Sequence, residues 1–131
     1  MLLHTMDPDA RPALFAADLR DCAALAGQSP EIVGATFATI LARAGATVVQ
    51  AVSHSFPGAG LTCVLILSES HAVVHTWPES ATVHVDIFAC SSRLKSLDAI
   101  AELGRFFGAG DVSIQEVHRA DGHSRQLDAR P

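Results

Sequence analysis

Between residues 68 and 90 the 131-residue chain holds more reactive side chains than a plain sheet needs. The stretch Ser68-Glu69-Ser70-His71-Ala72-Val73-Val74-His75-Thr76-Trp77-Pro78-Glu79 crowds hydroxyls, imidazoles and carboxylates between apolar runs. Ser70, His75 and Cys90 stand at offsets of zero, five and twenty. A hairpin turn with solvated residues would account for the polar groups without any chemistry. Residue types alone suggest two chemistries. A metal site would draw on His71, His75 and His84, with Cys90 as a fourth ligand. His71 and His75 are four apart and share a strand face, but zinc ligands usually come in tighter pairs, so no metal is expected. A Ser-His hydrolase would use Ser70, but the glycines of a nucleophile elbow are missing around it. Pyridoxal phosphate chemistry needs a Schiff-base lysine in a pocket. Lys95 is the only lysine, and it follows Arg93 on what reads as an exposed helix.

The elements that must position these residues can be read from pattern. Residues 1–12, with Pro8 and Pro12, read as a loose leader, and Ala13 to Leu19 as a first strand. Ser29-Pro30-Glu31 is a helix start: a serine cap, proline at the first helical position, and an acid at the positive end of the dipole. Ile32, Val33, Phe37, Ile40 and Leu41 then fall on one face, and Gly45 ends the helix in a left-handed conformation. Thr47 to Val52 reads as a strand, and His54 to Gly60 as a loop. Leu61 to Leu67 is an apolar run typical of a strand covered on both faces. Ala72 to Trp77 and Thr82 to Phe88 are two further strands. In the latter, Val83, Val85 and Ile87 alternate with His84, Asp86 and Phe88. Ser92 is expected to cap a second helix with a stripe of Leu94, Leu97, Ile100, Ala101 and Leu103, ending near Gly108 or Gly110. Asp111 to His118 is a last strand, and residues 120–131 a frayed polar tail. Five or six strands and two amphipathic helices predict an α/β (α+β) two-layer sandwich, a mainly antiparallel sheet with both helices on one face. Such a sheet leaves its other face needing cover.

Composition narrows the classes. The chain is 49% hydrophobic and 18% charged, which favours one folded domain over residues 1–131 rather than a disordered chain. Nine basic residues against fourteen acidic ones give a net charge of -5, so no nucleic-acid partner is expected. Cys22, Cys63 and Cys90 are odd in number and widely spaced, which predicts no disulfide framework. With no signal pattern at the N-terminus and no long apolar run, the expected setting is the reducing cytoplasm, with no membrane partner.

One family resemblance gathers the reactive residues. Glu69-Ser70-His71, His75-Thr76-Trp77-Pro78-Glu79 and Asp86-Ile87-Phe88-Ala89-Cys90 closely resemble the core motif of the prokaryotic S-adenosylmethionine decarboxylase proenzymes. Upstream, His54, Phe56 and Thr62 sit where that family has histidine, phenylalanine and a hydroxyl residue. The resemblance covers most of residues 46–91, and more loosely the whole chain. It implies self-processing, in which the Ser70 hydroxyl attacks the Glu69 carbonyl. The resulting ester eliminates, leaving a β chain 1–69 and an α chain 70–131 that begins with a covalent pyruvoyl group derived from Ser70. By the same resemblance His75 transfers protons during processing, and Cys90 protonates the product carbon. Thr62 helps hold the scissile peptide in a reactive form, Phe56 and Trp77 flank the adenine, and Glu79 binds the ribose hydroxyls. The implied activity is decarboxylation of S-adenosylmethionine to the aminopropyl donor for spermidine and other polyamines. The expected assembly is a homodimer of processed αβ protomers, with active sites built from both chains.

The sequence also departs from the family. Pro12-Ala13-Leu14 stands where a Gly-x-His motif is usual, although Asp18 and Cys22 match the family's acid and cysteine downstream of that motif. Ser91 replaces a glycine after Cys90, and Pro57 comes one position early. A related pyruvoyl-dependent ornithine or arginine decarboxylase, or a paralogue that never cleaves, therefore stays open as an alternative.

Overall fold

A computed structural model describes residues 12–90, 94–118 and 124–127. Their order is β1 (Ala13–Arg20), α1 (Pro30–Arg43), β2 (Val48–Ser55), β3 (Leu61–Leu67), β4 (Ser70–Trp77), β5 (Thr82–Ala89), α2 (Ser96–Phe107), β6 (Asp111–His118) and β7 (Ser124–Leu127). The strands form one antiparallel sheet in the order β2-β3-β4-β5-β1-β6-β7. The first strand of the chain therefore lies between β5 and β6.

Helix α1 forms where the capping signals stand. Ser29 Oγ accepts from the Ile32 amide at 3.2 Å and Pro30 opens the helix. At the far end Gly45 has φ +108°, the Gly45 amide donates to Ala42, and that of Ala46 to Leu41. These are the two bonds of a Schellman ending, as the glycine predicts. Helix α2 differs from expectation at its start. It begins at Ser96, with Lys95 in the cap position and no side-chain cap. The expected cap, Ser92, lies outside the described residues. The Lys95 amide instead donates to Ala44 O at 2.8 Å, tying the start of α2 to the end of α1. An Arg43–Glu102 ion pair joins the two helices.

Both helices pack on one sheet face. Val33, Phe37, Ile40 and Leu41 of α1 and Ala99, Ile100, Leu103 and Phe107 of α2 meet Leu19, Leu61, Leu65, Val74, Val83, Val85 and Ile87. Two residues assigned to the apolar stripes are instead exposed, Ile32 at 52% and Leu97 at 47%, because each lies a step round its helix from the buried face.

The opposite face carries no layer from the described residues. Leu61, Cys63, Leu65 and Leu67 are buried while Ile66 is 43% exposed, so β3 is covered on one side and not on two. Strand β2 is the sheet's edge and is exposed almost throughout. Three boundaries also shift. His54 and Ser55 belong to β2 rather than to the loop. Ser70 and His71 belong to β4 rather than to a turn. Residues 124–127 pair with β6, where a frayed tail was expected.

Candidate active site

A two-residue turn, Ser68-Glu69, joins β3 to β4, with Leu67 paired to Ser70. Hairpins this tight normally take positive φ in the turn itself. Here neither turn residue does, and the unusual angle falls on Ser70, at φ +155°. Residues with a Cβ rarely adopt that conformation, and it stores strain at the peptide joining Glu69 to Ser70. The turn is anchored on both sides. Glu69 is buried, its Oε1 accepts from the Thr47 amide at 3.1 Å, and the Ser68 amide donates to Thr47 O at 2.9 Å. The Glu69 carbonyl oxygen accepts from the Cys90 amide at 3.2 Å. An amide aimed at a carbonyl oxygen stabilises negative charge that develops there. Ser70 Oγ and His71 Nδ1 are 3.4 Å apart, and the His71 ring lies against Phe88. Glu69, Ser70, His71 and Cys90 thus form one cluster.

The remaining predicted residues gather at the other end of β4. His75 is five residues beyond Ser70, about 17 Å along an extended strand. Its Nδ1 bonds to Thr62 Oγ1 at 2.8 Å, between registered partners on β4 and β3. Beside this pair a cleft of about 240 Å³ is lined by Phe56, Thr62, His75, Trp77 and Glu79. Phe56 and Trp77 are 48% and 44% exposed, as rings offered to a ligand must be. Phe56 is held by its amide donating to Gly60 O at 2.8 Å and by its edge contact with the His54 ring. Gly60 leaves room there, since a Cβ would stand 3.3 Å from Thr76 O, a tight contact. Glu79 lies in a short 3-10 turn after Pro78.

All eight predicted site residues thus fall into two groups, one at each end of a strand. Pattern reading missed a row of side chains that crosses the sheet at the His75 end. Ser113, Asp18, His84, His75, Thr62 and His54 are successive cross-strand neighbours. The alternation of β5 puts His84 on that face, but its contacts are not legible in the sequence. Trp77 Nε1 donates to His84 Nδ1 at 3.1 Å, and His84 Nε2 is 3.8 Å from Asp18 Oδ1. Among the described residues, no three of His, Cys, Asp and Glu converge as a metal site would require, and His71, His75 and His84 each engage separate partners. Cys22 is buried, and its thiol donates to Leu19 O at 3.5 Å. Burial, and then the charge of Asp21, push that thiol up to about 11, which makes it a poor nucleophile.

Known proteins resemble this chain in sequence and in fold. A family profile described as S-adenosylmethionine decarboxylase matches residues 14–120. An S-adenosylmethionine decarboxylase proenzyme of Syntrophomonas wolfei is 40% identical over 76 residues, 58% of this chain and 60% of that one. One from Acidithiobacillus ferrooxidans is 40% identical over 77 residues, 59% of this chain and 58% of its own. The matched stretch thus spans about three fifths of each relative. The adenosylmethionine decarboxylase from Aquifex aeolicus superposes with a TM-score of 0.73 over 92% of this chain and 98% of that one, at 22% identity, and so shares the fold. Motif, architecture and a profile match over most of its length together establish that this chain belongs to the S-adenosylmethionine decarboxylase family.

Proposed function

We propose that this chain is a self-cleaving proenzyme which, once split between Glu69 and Ser70, decarboxylates S-adenosylmethionine. The observation that carries the reading is the peptide at the exit of the β3–β4 turn. There a serine of unusual φ follows a carbonyl whose oxygen already accepts the Cys90 amide. Attack by Ser70 Oγ on the Glu69 carbonyl carbon forms a C–O bond, and the C–N bond then breaks. The Cys90 amide offsets charge on the oxygen in between. Loss of the α-proton of residue 70 together with the ester oxygen frees the Glu69 carboxylate. Water then displaces the nitrogen as ammonia, and a ketone remains at residue 70. These residues fit a pyruvoyl group, which supplies an electron sink for the carbanion left by departing carbon dioxide. Cys90 stands at the same end of β4, where its thiol can return a proton to the substrate carbon.

The division of the site supports a dimer. One chain's His75 cannot reach its own Ser70 across about 17 Å of strand. Thr62, His75 and His71 lie on the open sheet face, and Ser70 stands at the His71 end of β4, so a second copy laid head to tail would bring His75 and Thr62 of one chain towards the Ser70 end of the other. The 240 Å³ cleft is smaller than the ~300 Å³ usual for an enclosed ligand, as expected of half a site. Phe56 and Trp77 offer stacking faces for an adenine, and Glu79 a carboxylate for ribose hydroxyls. The product would be the aminopropyl donor for spermidine synthesis. Cytoplasmic placement belongs to the same reading; no helix among the described residues is long and apolar enough to cross a membrane.

The test is mass spectrometry of fresh protein, followed by carbon dioxide release from S-adenosylmethionine, ornithine and arginine in parallel. Two fragments split at 69/70 and release from S-adenosylmethionine alone are expected. Release from ornithine or arginine instead would move the chain to a sister activity. An intact, inert chain would end the reading.

A further inference from the structure

The indole of Trp77 forms one wall of the cleft, and its N–H donates to Nδ1 of His84 at 3.1 Å. The two rings meet edge to face, with centroids 6.1 Å apart. An indole N–H can only donate, so Nδ1 must be the unprotonated nitrogen of a neutral His84, with its proton on Nε2. That nitrogen faces Asp18 Oδ1 at 3.8 Å. Asp18 is in turn held by Arg20, whose guanidinium also binds Asp111 at 2.8 Å.

From these contacts we infer that His84 is a positioning residue for substrate, fixing the Trp77 ring in the cleft only while its own imidazole is neutral. A second proton on His84 turns Nδ1 into a donor facing another donor, so the bond to Trp77 is lost. The same proton makes His84 a cation beside Asp18, which favours it. Acid therefore costs His84 its bond to the indole while strengthening its attraction to the carboxylate. The other groups around it set the balance. Arg20 competes for Asp18, and His75 is the registered neighbour on β4. Asp86 shares the strand and the face two residues along.

The ligand half of this inference rests on the proposed decarboxylase reading; the indole half does not. Trp77 is the only tryptophan, so intrinsic fluorescence reports on it alone. The experiment uses full-length Ser70→Ala protein, which cannot turn over, carrying His84, His84→Gln or His84→Leu. Emission without ligand is followed from pH 8 to pH 5, then S-adenosylmethionine affinity is measured at both ends. With His84, emission should change with acid and affinity should fall about fivefold, the worth of one neutral hydrogen bond. His84→Gln offers an acceptor that does not titrate, so it should keep the affinity and flatten the profile. His84→Leu should bind about fivefold more weakly at pH 8 and show no acid-dependent loss. Asp18→Asn should move the emission change to lower pH, because it removes the anion that favours the charged ring. Emission and affinity profiles that are the same with leucine as with histidine would overturn the inference. Should S-adenosylmethionine not bind at all while emission behaves as described, the substrate reading fails and the His84–Trp77 linkage stands.

Discussion

The amide of Cys90 donates to the carbonyl oxygen of Glu69 at 3.2 Å, so Cys90 meets the Glu69–Ser70 peptide through its backbone. The two proposed tasks of this position can therefore be separated. Cys90→Ala should keep the amide and still cleave, yet lose at least about tenfold in turnover through loss of a proton donor. Ser70→Ala should stay a single 13.8 kDa chain with no activity. Mass spectrometry reads cleavage in both variants, and carbon dioxide release reads turnover. Sustained wild-type turnover by Cys90→Ala would remove the thiol from the mechanism.

The separation of Ser70 from His75 predicts rescue between defective chains. Neither Ser70→Ala nor His75→Ala should yield cleaved, active protein alone. Co-expressed, they should form mixed dimers with one intact site, built from Ser70 of one chain and His75 of the other. A differently tagged His75→Ala chain should then appear cut on a denaturing gel. If it stays whole in verified mixed dimers, the two residues do not cooperate between chains.

Thr62 holds His75 through a 2.8 Å bond. Thr62→Val keeps the shape of the strand and deletes that partner, so cleavage should slow by about tenfold, for a loss near 1–1.5 kcal/mol. Thr62→Ser should restore most of the rate. Equal half-times for all three chains would make Thr62 a spectator.

Cys22 predicts a response to alkali. Its folded value of about 11 lies above the ordinary 9.0 because the neutral thiol is the form that fits the core. The stability it contributes is thus complete below about pH 9 and lost as the pH rises towards 11, where the unfolded chain ionises first. The unfolding free energy from urea titration should fall across that window by on the order of 2 kcal/mol, and Cys22→Ala should lack this share of the fall. At pH 8 a thiol reagent should modify the partly exposed Cys90 first and spare Cys22 and Cys63, which are buried, until the protein unfolds.

Much of the fold is legible in the residues. The caps of α1, the alternation of β5 and the glycine endings of both helices are local features, and the structure follows them. The motif spacing likewise picks out the residues that cluster in the fold. Partition is not legible. Offsets of five and twenty do not reveal that Cys90 returns to Ser70 while His75 runs away from it, because that depends on which strands pair. The apolar run 61–67 reads as a two-sided strand for the same reason. Which of its faces the helices cover is set by packing, and hydropathy along one chain carries no such record. The His84–Trp77 bond needs both strand register and ring orientation.

A cut after Glu69 divides the sheet unevenly: one piece keeps β1, α1, β2 and β3, the other β4, β5, α2, β6 and β7. Because β1 is sandwiched between β5 and β6, the second piece grips it along both edges, while β3 stays laced to β4. The two segments are woven like the threads of a cloth. Under the proposed scission there would be two molecules by mass and one object in space, and parting them would mean unravelling the whole fabric.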